Sequence, residues 1–216
     1  MKLNFKPEDS DIEKAKNLIR EGIKEAEDVL PKEKNLDFGI AWTEDRFVKQ
    51  NMGGVSGMAW HPTFIELKFN SDVENWKKNV KVTTVHEFGH SWFYEKIGHN
   101  HNDQDLLIWR YILDEALTQN LVEKIYPDSV EKWALKHTAE DIKPFWEEIK
   151  KEELDRDYSY PDPLYINQSE GGYPNWLGYS MSYLIGQHLL EQGYELEDFP
   201  ELEKEDVVKA GNKLFG

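Results

Sequence analysis

The sequence predicts an α+β chain. Apolar residues recur at three- and four-residue spacing through most of its length, and short alternating runs interrupt that pattern in the first third. With 216 residues, 39% of them hydrophobic and 13% aromatic, the chain can bury a substantial core as one large domain or as two small lobes. The 31% charged residues and the mean hydropathy of −0.74 then describe the surface of a folded protein rather than disorder.

From about Ser10 to Leu30 the positions of Ile12, Ala15, Leu18, Ile19, Ile23, Ala26 and Leu30 predict an amphipathic helix that Pro31 ends. Asp37 to Trp42 and Thr63 to Phe69 read as strands, the second with Ile65, Leu67 and Phe69 alternating with Glu66 and Lys68. The three glycines of Asn51 to Gly57 signal a turn or loop between them. Asn75 to Ile97 is helical and closes at Gly98. Asn102-Asp103 can cap a further helix through Trp109 and Glu115 to Tyr126, where Pro127 stops it. Lys132 to about Glu153 is helical with an interruption at Pro144, Asp155 to Pro174 is a long ordered loop, and Asn175 to Gln192 is a last long helix. Acidic Glu195 to Asp206 and a short terminal helix follow.

Composition excludes several function classes. A formal charge of −16 disfavours nucleic acid and an acidic membrane surface, because both recruit Lys and Arg. With no Cys, disulfides, thiolate catalysis and Cys-ligated zinc fall away, so a transition metal must sit on His, Asp or Glu. Met1 to Asp9 holds no apolar run of signal-peptide length, and a soluble cytosolic protein is the expectation.

The chemistry concentrates at His86-Glu87-Phe88-Gly89-His90. At about 100° per residue, His86 at 0° puts His90 near about 40° and Glu87 near about 100° on the helix wheel. The three polar groups share an arc, and Val85, Phe88, Gly89 and Trp92 form an apolar back. Two imidazoles one turn apart can both ligate zinc, and the Glu between them is the candidate general base for a metal-activated water. In a chain of this composition the motif arises by chance in about 3 of 100 cases, so it needs a third ligand nearby to carry weight. Phe93 and Lys96 stand where a metzincin would continue with Gly and His. Asp114 and Glu115, 24 and 25 residues after His90 on the next predicted helix, are the candidates instead. His99 and His101 lie on a loop and are expected to face solvent.

With these residues the chain resembles the gluzincin group of zinc metallopeptidases, matching it at His86, Glu87, His90 and Glu115. More narrowly, Met52 to Gly57, the motif helix, Asp114-Glu115-Ala116-Leu117 and Trp176 to Gly186 look like the family of predicted zinc-dependent proteases, over about residues 35 to 195. The resemblance implies a zincin-like fold, with residues 1–98 as an α/β lobe containing the active-site helix and 99–216 as a mainly helical lobe, together one catalytic domain with the cleft between the lobes. It implies one zinc per chain on His86, His90 and Glu115, and an edge strand, Ser56 to Trp60 or Thr63 to Leu67, that pairs with an extended peptide. Thermolysin-like enzymes carry an Asp four residues after the glutamate ligand to orient a zinc histidine. This chain has Gln119 there, and Thr118, Gln119 or Asn120 could replace that contact.

The expected activity is hydrolysis of peptide bonds in peptides or unfolded polypeptides, with Glu87 as general base and Tyr179 as first choice for the donor that stabilises the oxyanion. His188 is the second choice. The alternatives are a zinc hydrolase of another amide or ester, and a zinc-stabilised peptide-binding protein without catalysis.

Overall fold

The computed structural model describes residues 9–99, 106–159, 161–166 and 172–216; His101 and the predicted cap at Asn102-Asp103 lie outside them. The fold class is α+β, as the patterning predicts, and it is consistent with the zincin-like fold that the resemblance implies. The chain divides into two units, Met1–Asn100 and His101–Gly216.

In the first unit, α1 (Asp9–Glu27) precedes β1 (Asp37–Trp42), a short α2 (Arg46–Asn51), β2 (Val55–His61), β3 (Phe64–Phe69) and α3 (Trp76–Ile97). Asp45 caps α2 by accepting the Phe47 and Val48 N–H groups through Oδ1, at 2.7 and 3.0 Å. The sheet order is β1-β3-β2, with β3 parallel to β1 and antiparallel to β2. Thr63 to Leu67 is therefore central, and Ser56 to Trp60 is the edge among the expected alternatives. The glycine-rich stretch is only partly a turn: Gly53 and Gly54 turn the chain, and the strand begins at Val55.

The core of this unit is formed by Ala15 and Ile19 of α1, Val55 and Ala59 of β2, Ile65, Leu67 and Phe69 of β3, and Trp76 and Val80 of α3. The alternation of β3 buries those three residues and turns Glu66 and Lys68 away, as a sheet with one covered face requires. Phe69 stacks on Trp76 at 5.3 Å between ring centroids. At the far end of α3, Lys32 donates to Glu95 Oε2 at 2.8 Å and to the Ser91 carbonyl at 3.1 Å, with both charged side chains almost wholly buried. Burial pushes the Lys32 ammonium down. For Glu95, burial acts upward, but the Lys32 bond and the N–H groups of Glu33 and Lys34 outweigh it and hold the carboxyl below its ordinary value. Trp92 Nε1 donates to the Pro31 carbonyl and the Ser91 hydroxyl to the Pro62 carbonyl, so α3 is fastened on several sides.

The second unit is helical: α4 (Ile108–Ile125), α5 (Ala139–Glu148) continuing as a π turn to Glu153, α6 (Leu177–Glu191) and α7 (Lys204–Phe215), with a 3₁₀ turn at Leu196–Glu201. α4 packs along α6 and against α7, and α5 against α7. The α4/α6 approach is close because Gly186 faces Ala116 and Asn120; a Cβ there would lie 3.1 Å from Ala116 Cβ and closer still to Asn120 Nδ2. Pro144 does not interrupt α5. It sits on the exposed face, where the missing N–H leaves only a solvent-facing turn unbonded, while Ile142, Trp146 and Ile149 are buried. The helix begins later than the periodicity predicts, at a Thr138/Asp141 capping box.

Leu107 offers α4 no side-chain cap. Its first N–H groups are met by backbone instead: Ile108 N–H donates to the Arg156 carbonyl and Trp109 N–H to the Leu154 carbonyl, at 2.9 and 3.1 Å. Arg156 in turn forks onto the fully buried Asp162 at 2.7 and 3.0 Å. The start of α6 is docked on the same segment through Trp176 N–H to the Tyr165 carbonyl and Gly178 N–H to the Leu164 carbonyl.

Candidate metal centre

The stretch Val82 to Phe93 of α3 is buried on all sides, so His86, Glu87 and His90 occupy an interior position rather than an open polar arc. Each is 6–7% exposed. The His86 and His90 rings lie 4.8 Å apart, with their Nε2 atoms 3.1 Å from one another. Two nitrogens at 2.0–2.1 Å from a tetrahedral ion stand about 3.3 Å apart, so the pair already has the bite of a zinc chelate.

Glu87 lies against β2. Residues 55, 57 and 59 share one face of that strand, and Val55 and Ala59 are buried in the core beside α3. Between them Gly57 leaves room for the carboxylate: a Cβ at Gly57 would fall 2.6 Å from Glu87 Oε1 and 2.7 Å from its Cδ. A glycine that reads in sequence as a turn signal is in fact the seat of the candidate base.

On α4, Asp114 and Glu115 are both buried, at 0% and 1% exposure. The Glu115 carboxylate accepts from the Tyr111 hydroxyl at 2.9 Å on Oε1 and from Gln119 Nε2 at 3.0 Å on Oε2. Gln119 thus bonds to the glutamate itself, four residues before it. Thr118 turns to the Glu115 carbonyl, and Asn120 to the Ala116 and Tyr183 carbonyls. Among the described residues, His86, His90 and Glu115 form a set whose donor atoms all lie within 4.8 Å of one another, and Asp114 is not in it. Two imidazoles and one carboxylate, buried and without Cys, are the donor set of a borderline metal such as zinc.

Around Glu115 gathers a tyrosine cluster that sequence reasoning missed. Tyr111 stacks on Tyr158 at 3.8 Å and meets Tyr165 edge-on at 4.8 Å, and Tyr165 meets Tyr179 edge-on at 5.0 Å. Tyr165 is fully buried, which pushes its phenol well above the ordinary value, and its hydroxyl lies 3.3 Å from Ser182 Oγ. Tyr179 is half-buried on the first turn of α6. His188, two turns on, pairs with Glu191 at 3.9 Å. Tyr183 hydrogen-bonds Glu123, and burial with that carboxylate beside it pushes its phenol up to about 12. His99 is half-buried against Tyr94, not solvent-facing, and stands outside the donor set. The i−4 and i+4 spacing of Tyr111 and Gln119 about Glu115 was the legible signal for its hydrogen-bond partners.

Residues 12–209 match the family model described as predicted Zn-dependent protease (DUF2268). No curated protein and no solved structure matches the chain.

Proposed function

The chain belongs to the family of predicted Zn-dependent proteases, and from that premise we propose that it is a gluzincin-type metallopeptidase in which His86, His90 and Glu115 hold one zinc ion and Glu87 is the general base. The observation that carries the reading is the buried His86–His90–Glu115 donor set, with a carboxylate from the residue after His86 held against β2.

Zinc held by His86, His90 and Glu115 would supply Lewis acidity, lowering the pKa of water and polarising a carbonyl. Glu87 accepts a proton from the attacking water and returns it to the leaving nitrogen. Its near-complete burial keeps bulk water from competing for that proton. Tyr179 is the proposed donor to the developing oxyanion, supported by its half-exposed place on the tyrosine cluster that reaches Glu115 through Tyr165 and Tyr111. β2 stands at the sheet edge, which suits it to receive an extended substrate by backbone pairing. The proposed substrate is accordingly a peptide or an unfolded polypeptide.

Metal analysis of the purified protein tests the assignment. One zinc per chain is expected, and it should be lost in His86→Ala and Glu115→Ala. Zinc that stays in both variants would refute the ligand set, and loss in Asp114→Ala alone would transfer the third ligand to Asp114.

A further inference from the structure

Resting on the assignment of Glu115 as a metal ligand, we propose that Tyr111 and Gln119 are positioning residues that lock its carboxylate in one orientation, with Tyr158 backing the Tyr111 ring. The two donors come from the same helix, one turn before and one turn after Glu115, and each takes a different carboxylate oxygen, at 2.9 and 3.0 Å. Rotation about the terminal torsion of Glu115 breaks both bonds together. Nothing in a helix requires this: an ordinary buried glutamate is satisfied by any two donors, whereas opposed donors on the two oxygens fix the plane of the group and leave the remaining lone pairs for a ligand.

Gln119 supplies a second observation. Its amide must present Nε2 to Glu115, because the flipped amide would set one oxygen against another. In that orientation Gln119 Oε1 is buried and has no hydrogen-bond partner among the described residues. An unsatisfied buried carbonyl oxygen costs stability. The side chain is therefore placed for the bond that it gives to Glu115, not for the stability of α4.

The Tyr111 ring is held independently of its hydroxyl. Tyr158 lies over it with an interplanar angle of 23°, and Tyr165 meets it nearly at right angles. Tyr158 is itself tied back, its N–H donating to the Leu106 carbonyl at 2.8 Å, beside the Leu107–Asp157 bridge and the Arg156–Asp162 fork. The segment that caps the start of α4 thus also fixes the ring whose hydroxyl holds Glu115.

The test is zinc affinity of the full-length chain, measured by chelator competition for wild type, Tyr111→Phe, Gln119→Met and Glu115→Ala, alongside the melting temperature of each metal-free protein and the visible spectrum of the cobalt(II)-loaded forms. Loss of a group that orients a metal ligand weakens affinity by about 10–100-fold, and that loss is expected in both Tyr111→Phe and Gln119→Met. Both metal-free proteins should melt somewhat below wild type, since each substitution takes one hydrogen bond from the buried Glu115 carboxylate. The cobalt spectra should change as the carboxylate is released. Wild-type affinity in either variant, with zinc lost in Glu115→Ala, would overturn the lock and leave the ligand assignment standing. Wild-type affinity in Glu115→Ala would overturn the ligand assignment and the lock with it. Weaker zinc with a wild-type cobalt spectrum would make both residues merely structural and overturn the proposal.

Discussion

Replacing Gly57 by Ala adds one methyl group to the face of β2 that covers Glu87. The new carbon would stand 2.6 Å from Oε1, 2.7 Å from Cδ and closer still to Cγ, whereas ordinary contact begins near 3.4 Å, so the side chain must retreat by roughly 1 Å. The neighbouring Val55 and Ala59 are buried in the core, and β2 is paired with β3 through Leu67 at this position, so the strand yields less readily than the side chain. A misplacement of about 1 Å in a reacting group costs on the order of 10²-fold in rate. Gly57→Ala should therefore lower turnover of a mixed peptide library by about that factor while zinc content stays at one per chain. Stability provides a readout that needs no substrate. The overpacked strand should lose about 1–3 kcal/mol in denaturant unfolding, and most of that loss should vanish in a Glu87→Ala background, where the colliding atoms are gone. Wild-type turnover in Gly57→Ala, or strictly additive stability losses in the double variant, would refute the reasoning.

Two further predictions concern the scaffold. Glu95→Gln leaves Lys32 buried without its counter-charge and should cost about 3 kcal/mol by denaturant unfolding at neutral pH. Because the fold holds the Glu95 carboxyl below its ordinary value of about 4.5, its contribution is complete above that pH and is lost as pH falls through the lower folded value, so the wild-type advantage over Glu95→Gln should shrink below about pH 4.5 and stay constant above about pH 6; an advantage that grows on acidification would contradict it. Gly186→Ala should destabilise by about 1–3 kcal/mol despite the better helix propensity of Ala, since the added methyl meets Asn120 and Ala116 of α4; a rise in stability would show that the two helices can separate without loss.

Much of this was legible in the residues. The periodicity of α1, the alternation of β3 and the stop at Gly98 are local signals that packing reinforces, and they placed the motif helix within a residue of its bounds. β2 was legible only through the family resemblance, which offered Ser56 to Trp60 as a strand; in the residue pattern Gly53, Gly54 and Gly57 read together as a turn, and only the approach of Glu87 distinguishes the third glycine from the first two. Asp45 ahead of α2 and the Thr138-x-x-Asp141 box ahead of α5 were readable caps that the search for apolar periodicity passed over. At the candidate site, spacing singled out His86, Glu87 and His90, and apolar neighbours singled out Glu115. Gln119 was sought as a partner for a histidine and instead serves the glutamate, because a side chain four residues along the same helix reaches its neighbour before it reaches anything else. The tyrosine cluster joins residues from three segments, α4, the chain after α5, and the start of α6, and no single stretch of sequence carries such a pattern.

The central claim is that Glu87 does the proton chemistry of a zinc-dependent peptidase. Its most direct test is the rate at which the zinc-loaded chain cleaves a mixed peptide library, compared with Glu87→Gln at the same zinc content. Loss of a positioned general base removes about 10²–10⁴-fold of the rate, and the account predicts a fall of that size with zinc retained. Equal cleavage by the two proteins, or no cleavage by wild type holding one zinc per chain, would contradict it.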